Sequence, residues 1–256
     1  MTWLESIILG VLEGVTEFLP ISSTGHLILA STLLEIPPST FLSSFQIAIQ
    51  LGAIAAVVAL YWRAFLDPHL LMKLFVAFIP TGLVGVLVYP YVKGFLLGNA
   101  LIVVAALFVG GIALIAFELL HKEREDAPAE TRAITWRQAV FVGAFQAIAI
   151  IPGVSRSAAT IVGGLLVGIR RSTIVEFSFL LAVPTMVAAT GYDLLKSADT
   201  FAFDQFGLLA LGFLTSFVVA LISMRLLLRV VRRFGFIPFG IYRIVLAVAF
   251  FLIVLA

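Results

Sequence analysis

Cysteine and charge are scarce in this 256-residue sequence, and each shortage excludes a class of protein. The complete lack of cysteine excludes disulfides, thiolate nucleophiles, zinc–thiolate sites and iron–sulfur clusters. Charged residues make up only 12% of the chain, against about 25% in an ordinary soluble domain. The 16 basic and 14 acidic side chains are too few to cover a soluble fold of this size. The hydrophobic residues, 62% of the chain, therefore indicate membrane spans.

Long apolar runs are abundant. A helix needs about 20 residues to cross a hydrocarbon core of about 30 Å. Six segments of the chain meet that requirement, namely 43–62, 70–89, 100–120, 174–194, 206–228 and 239–256. The sequence therefore predicts an all-α integral membrane protein with six spans.

Two further apolar segments, 3–34 and 138–169, are interrupted by Pro20 and Pro152. Proline cannot continue a helix, and the serines that follow each proline are good N-caps for a new one. The outgoing arm of the first segment, 23–34, provides about 18 Å of helix, which is too short to cross a bilayer. We therefore predict that both segments are re-entrant helical hairpins.

The two halves of the sequence repeat. At an offset of 133 residues, Ser22 falls on Ser155 and Ser23 on Arg156. Three spans follow each break, and an odd number of crossings turns the second copy upside down, as in inverted-topology repeats. The predicted domains are a first repeat over 1–120, a hydrophilic linker over 121–137 and a second repeat over 138–256.

The distribution of positive charge supports the re-entrant hairpins. Removing the intramembrane Arg156 and Arg243 from the 16 basic residues leaves 14 in loops. With re-entrant hairpins 12 of these lie on one face and only Lys93 and Lys196 on the other, whereas eight full crossings would divide them 7 to 7. The positive-inside rule favours the biased arrangement. It predicts a multi-pass protein of the plasma membrane, with the 121–137 loop in the cytoplasm and both termini outside.

The first break carries acidic and hydroxyl side chains at membrane depth. Glu13 and Glu17 are four residues apart and share one helix face, and a pair of buried carboxylates needs a partner or a cation. We expect them to bind a divalent cation, Mg²⁺ or Ca²⁺, although a protonated or water-exposed pair is the alternative. His26 follows the serines by three residues. It is a candidate general acid/base or nucleophile, against a purely structural role.

The second break carries a positive charge. Arg156 follows Ser155 at the predicted start of a helix and precedes Ser157. A guanidinium, backbone N–H groups and a helix dipole together make a good phosphate clamp. The alternative is a buried ion pair between Arg156 and Glu13 or Glu17 that serves topology alone.

Inverted hairpins that enter from opposite faces would meet near the membrane midplane. They would bring an anion clamp, a cation site and a candidate nucleophile together, which suits phosphoryl chemistry on a lipid-borne phosphate. The rival interpretation is a transporter of such a lipid phosphate, because broken helices and a midplane site are also typical of transporters. An ion channel is disfavoured, since the sequence shows no ring of like charges or carbonyl filter.

At these residues the sequence resembles the bacterial undecaprenyl-pyrophosphate phosphatase family, of the bacitracin-resistance type. A Glu-rich stretch leading into Pro-x-Ser-Ser-Thr-Gly-His stands at 13–26, and Pro-Gly-x-Ser-Arg-Ser followed by a small pair and Thr stands at 152–160. Segments 177–184 and 236–239 also look like the family, so the resemblance covers essentially the whole chain. Ala158 departs from it, because the family commonly has glycine after Ser-Arg-Ser.

The resemblance implies removal of the terminal phosphate from undecaprenyl pyrophosphate, which recycles the lipid carrier for peptidoglycan and other envelope polymers and reduces sensitivity to bacitracin. It implies a divalent-metal requirement, a site open to the outer side and no nucleic-acid partner, and leaves a homodimer open. The nucleophile stays open between Ser23, His26 and water. By position, the catalytic residues would be Glu17, Ser23, His26 and Arg156, the metal ligands Glu13 and Glu17, and the phosphate-binding residues Ser22, Thr24, Ser155, Arg156, Ser157 and Thr160.

Overall fold

A computed structural model describes residues 1–91, 99–123, 130–197 and 205–255. The middle of the predicted linker, 124–129, and the loop that contains Lys93 lie outside the described residues. The described part is helical throughout. Its α-helices are α1 (Trp3–Thr16), α2 (Ser23–Leu33), α3 (Thr40–Leu60), α4 (Pro68–Tyr91), α5 (Ala100–Leu120), α6 (Trp136–Gln146), α7 (Arg156–Leu166), α8 (Arg171–Ser197), α9 (Phe206–Phe234) and α10 (Ile237–Phe250).

Five of these helices, α3, α4, α5, α8 and α9, are long and apolar enough to cross a membrane. They coincide with five of the six predicted spans, which confirms the all-helical membrane class. The sixth predicted span, 239–256, is represented by α10, which has 14 residues and continues as a π-helical turn over Phe251–Leu255. As an apolar helix, Ile237–Ile253 is shorter than the other five.

Both predicted breaks are present. The first lies between α1 and α2, where Ser22 has a φ of 71°, and the second lies between α6 and α7, where Gly153 has a φ of 90°. A positive φ reverses the local direction of the chain and is costly for a serine. Each outgoing helix is then capped by a serine hydroxyl, with Ser22 accepting from the backbone N–H of Gly25 and Ser155 from that of Ala158.

The helix bounds follow the 133-residue offset of the sequence. α1 and α6 begin at Trp3 and Trp136, and both have a threonine capping box in front of them. α2 (Ser23–Leu33) and α7 (Arg156–Leu166) match at both ends. Equivalent local signals therefore start equivalent helices in the two halves.

The incoming helix of each interrupted segment packs against a long helix from the other half of the chain. α1 packs along α9, and α6 packs along α4. The approach is close because it occurs at glycines: a Cβ on Gly14 would lie 2.7 Å from the carbonyl oxygen of Ser216, and one on Gly143 would collide with the carbonyl of Ala77. The Thr81 hydroxyl donates to the Gly143 carbonyl (2.9 Å), which fixes α6 against α4. This packing holds the two breaks in place.

Candidate active site

The two breaks meet directly. The Ser157 hydroxyl, at the start of α7, donates to the carbonyl of Leu19 in the first break at 2.9 Å. The Ser155 hydroxyl reaches the same carbonyl at 3.4 Å and lies 3.0 Å from the Ser157 hydroxyl. The predicted convergence of two helix N-termini is therefore present, and the two predicted phosphate-binding serines of the second break join it to the first.

Glu17 is the centre of the contact. Its Oε1 lies 3.1 Å from Nη2 of Arg156, and its Oε2 accepts a hydrogen bond from the Ser23 hydroxyl at 2.5 Å. Both ends of the ion pair are buried, with side-chain exposures of 8% for Arg156 and 3% for Glu17. A second Arg156 nitrogen, Nη1, donates to the carbonyl of Ser178 on α8 at 2.9 Å. Three predicted catalytic residues from both halves thus form one buried unit.

Glu13 lies one turn before Glu17 and is fully buried. It interacts electrostatically with Glu17 and Arg156, yet neither of its carboxylate oxygens has a hydrogen-bond partner within the described residues. One guanidinium faces two carboxyl groups, so the pair lacks one positive charge, which a divalent cation or a proton would supply. The described residues hold no group of three or more His, Asp or Glu side chains placed to bind a metal.

His26 stands apart from the Glu17 unit. Its Nδ1 lies 2.7 Å from the carbonyl oxygen of Ser22, and its Nε2 lies 2.8 Å from the Tyr242 hydroxyl on α10. A carbonyl can only accept, so Nδ1 carries the proton, and a neutral His26 would accept the Tyr242 proton at Nε2. His26 therefore touches the first break through the main chain of Ser22, a predicted phosphate-binding residue.

The remaining predicted residues lie on the first turns of the outgoing helices. Thr24 is half-buried on α2. The Thr160 hydroxyl is fully buried and lies 2.6 Å from the Ser178 hydroxyl, and it also donates to the Arg156 carbonyl at 3.0 Å. Thr160 thus fixes α7 to α8 and supports the arginine.

Arg243 is a site residue that sequence reasoning missed. It is 1% exposed, and its guanidinium donates to four main-chain carbonyls. Nη1 donates to Pro20 in the first break, and Nη2 to Gly153 in the second. Nε and Nη2 also reach the carbonyls of two consecutive α5 residues, Leu107 and Ala106. Arg243 therefore ties both breaks to α5.

Tyr242, the neighbour of Arg243, was missed as well. A lone arginine in an apolar segment is the same signal that singles out Arg156, and it was available for Arg243. No comparable signal existed for Tyr242, because its partner His26 lies 216 residues away.

Comparisons with known proteins identify the family of the chain. The family model described as "Bacitracin resistance protein BacA" matches residues 6–249. The chain belongs to this family. The BacA match includes both breaks and α10 up to Val248 and Ala249, so it covers every residue of the site described above.

Three curated relatives bear the name undecaprenyl-diphosphatase. The protein from Persephonella marina is 50% identical over 253 residues, covering 98% of this chain and 99% of its own. Those from Sulfurihydrogenibium sp. and Aquifex aeolicus are each 48% identical, covering 98% of this chain and 99% and 100% of their own. With family membership and five long apolar helices, the chain is a multi-pass membrane protein.

Proposed function

We propose that this protein hydrolyses undecaprenyl diphosphate to undecaprenyl phosphate and inorganic phosphate. This reaction recycles the lipid carrier for peptidoglycan and other envelope polymers, and it confers resistance to bacitracin. Relatives with this name match the chain over nearly its whole length. The observation that carries the proposal is the buried Ser23–Glu17–Arg156 unit, which places a hydroxyl, a base and an anion-binding cation in contact.

The unit suggests how the chemistry proceeds. Ser23 attacks the terminal phosphorus while its proton passes to Glu17 Oε2, 2.5 Å away. The bond from that phosphorus to the bridging oxygen breaks, and undecaprenyl phosphate leaves with the proton that Glu17 had accepted. Water then attacks the phosphoserine and gives a proton to the ionised Glu17. As the bond from phosphorus to the Ser23 oxygen breaks, Glu17 returns this proton to that oxygen, so inorganic phosphate is released and the Ser23 hydroxyl is restored. Arg156 neutralises negative charge on the transferred group throughout.

His26 takes a supporting place in this scheme. Its Nε2 is already engaged by the Tyr242 hydroxyl, whereas Ser23 is paired with a carboxylate. A phospho-enzyme trapped from substrate labelled in its terminal phosphate should carry the label on Ser23. Label on His26 would instead make the histidine the nucleophile, and a complete lack of label would favour direct attack by water.

Glu13 and Glu17 are the proposed ligands of a divalent cation, Mg²⁺ or Ca²⁺. The unpartnered oxygens of Glu13 fit such an ion, with substrate oxygens completing its coordination. When bound, the cation would offset the charge of the diphosphate and polarise the transferred phosphoryl group.

Phosphate release decides between this function and transport. Purified protein in detergent, given undecaprenyl diphosphate and Mg²⁺, should release inorganic phosphate, and Glu17→Ala should abolish the release. Glu118→Gln is a matched control, because Glu118 pairs with Arg171 in a separate, partly exposed ion pair. No release from the wild type would favour a polyprenyl-phosphate transporter.

We also propose two inverted repeats, 1–120 and 138–256, each with a re-entrant hairpin and three crossings, joined by a cytoplasmic loop at 121–137. The matching helix bounds at an offset of 133 support the repeat. Charged contacts join segments that this topology assigns to the cytoplasmic face: Arg132 lies 2.7 Å from Asp67, and Arg171 lies 2.8 Å from Glu118.

This topology places both termini outside the plasma membrane. From the family resemblance we further propose that the site opens to the outer side. The natural lack of cysteine makes a labelling test clean. In intact cells an impermeant thiol reagent should label Thr2→Cys and leave Pro128→Cys unlabelled. Equal labelling of the two positions would rule this topology out.

A further inference from the structure

A cleft of about 470 Å³ lies between α4 and α8. Its walls are mainly apolar and include Phe78, Gly85 and Val86 on α4 and Met186 on α8. The second break closes one side with Ala149 and Ile150. Its composition differs from that of a second cleft, which is lined by charged side chains such as Glu118, Arg170 and Arg171.

The cleft between α4 and α8 has polar groups in one part of its lining. Arg156 lines it, although the same side chain is paired with Glu17. The Arg156 Nε atom is buried and has no hydrogen-bond partner among the described residues, which leaves one donor of the guanidinium available. Arg156 therefore belongs both to the candidate active site and to an apolar cleft.

Gln146 provides a second polar group in the same lining. Its side-chain nitrogen donates to the hydroxyls of Thr81 (2.9 Å) and Thr185 (3.0 Å), which hold the amide between α4 and α8. The other end of the amide, Oε1, is buried and unpartnered within the described part of the chain. A buried acceptor and a buried donor that lack protein partners mark a place where a ligand or its water completes the hydrogen bonds.

We propose that this cleft binds the part of the polyprenyl tail nearest the diphosphate; the proposal rests on the proposed function. In a prenyl diphosphate the apolar chain begins directly at the phosphate, so the chain must leave the site beside the residue that binds the phosphate. In the proposed function Arg156 is that residue, and it also lines the apolar cleft. The Nε–H of Arg156 donates to the phosphate oxygen nearest the chain, and the isoprene units lie between α4 and α8.

The exposed outer part of the cleft explains how so long a tail is accommodated. Val86 is 73% exposed and Val187, beside the lining residue Met186, is 54% exposed, so this side of the molecule faces lipid in a membrane. The remaining isoprene units can therefore stay in the bilayer. Specificity for a polyprenyl chain would come from the first few units alone.

Gly85 provides a sharp test. It lines the cleft, and a Cβ built on it meets no atom within 4 Å, so the backbone leaves open space for a side chain in Gly85→Leu. Gly191 on α8 is the matched control, because a Cβ there also meets nothing within 4 Å and the residue does not line the cleft. Ala189→Phe blocks the cleft from the α8 wall and serves as a second variant if Gly85→Leu does not fold.

The measurement is kcat/KM for two substrates, undecaprenyl diphosphate and the five-carbon dimethylallyl diphosphate. Gly85→Leu should lower kcat/KM for undecaprenyl diphosphate about tenfold, because several buried methylenes of the tail lose their contacts. The same variant should change kcat/KM for dimethylallyl diphosphate by less than about twofold. Gly191→Leu should match the wild type on both. Thermal unfolding checks that Gly85→Leu is folded. If the folded variant has the same kcat/KM as Gly191→Leu for undecaprenyl diphosphate, the cleft does not bind the tail.

A binding measurement makes the result independent of turnover. A prenyl diphosphate with a photoreactive group on its first isoprene units should label peptides of α4 or α8 in the wild type, and Gly85→Leu should reduce that labelling. Labelling confined to other helices would overturn the proposal. A wild type that releases no phosphate but is labelled at α4 or α8 would contradict the proposed hydrolysis and leave the tail site standing, so the two failures are distinguishable.

Discussion

The two breaks share a serine N-cap but differ in charge. Both start an outgoing helix with a serine N-cap, Ser22 in the first and Ser155 in the second. The first break contributes carboxylates, while the second contributes Arg156. At the position matching Glu13, the second has Gln146, whose amide is held by two threonine hydroxyls. Equivalent helix starts thus frame both breaks, and their different charges make up the proposed site, which neither break holds alone.

The largest expected effect comes from removing the acid that joins the two breaks. Glu17→Gln keeps the shape of the side chain but removes the base for Ser23 and the counter-charge of Arg156. Loss of a general base and of an oriented cation should lower kcat about 10³-fold or more. Breaking the buried pair should also cost about 3–5 kcal/mol in stability. Phosphate release and thermal unfolding measure the two effects, and near-normal release would exclude Glu17 from the chemistry.

The next comparison is between the equivalent positions Glu13 and Gln146. Glu13→Gln removes the unpartnered carboxylate, so we expect about 10²-fold lower activity and a higher Mg²⁺ concentration for half-maximal rate. Removing Mg²⁺ with a chelator should stop the wild type. Gln146→Ala, the counterpart in the second break, should leave the Mg²⁺ dependence unchanged. If both variants need a higher Mg²⁺ concentration for half-maximal rate, the assignment of the cation to the first break is contradicted.

Arg243 tests whether the relative position of the breaks matters. One ammonium cannot replace a guanidinium that serves carbonyls of Pro20, Gly153 and α5, so Arg243→Lys leaves buried acceptors unsatisfied. We expect kcat to fall about tenfold with little change in KM, and the stability to fall by about 1–3 kcal/mol. A variant with lower stability and unchanged kcat would show that Arg243 supports the fold without positioning the site.

The smallest effect is expected at the contact between His26 and Tyr242. Tyr242→Phe removes only the hydroxyl at His26 Nε2 and should lower kcat by less than about tenfold. His26→Ala should lower it further, because the imidazole and its bond to the Ser22 carbonyl are both lost. Full activity in His26→Ala would remove the histidine from the chemistry.

Proline shows how far local sequence determines this fold. Pro20 and Pro152 were predicted to break their helices, and they do, but Pro80 and Pro184 lie inside the continuous helices α4 and α8. The difference lies in the neighbours: the breaks contain a residue with positive φ, which turns the chain away. Within a helix, proline removes one backbone donor and crowds the carbonyl four residues earlier. Transmembrane helices tolerate this where neighbouring groups satisfy the freed backbone atoms.

Long-range contacts mark the limit of prediction. The charged and hydroxyl residues of the breaks were recognisable because they are out of place in apolar segments. Their pairing was left open between Glu13 and Glu17, and the structure pairs Arg156 with Glu17 across 139 residues of sequence. The four carbonyls around Arg243 come from three distant segments, a relation that spacing along the chain does not reveal.

The most direct test of a site shared between the breaks is a double-mutant cycle of Glu17→Gln and Arg156→Gln, measured by phosphate release from undecaprenyl diphosphate. Because these residues act as one buried unit, the double variant should be about as slow as the slower single variant. If instead the two losses multiply, Glu17 and Arg156 act independently, and the two breaks do not form a common active site.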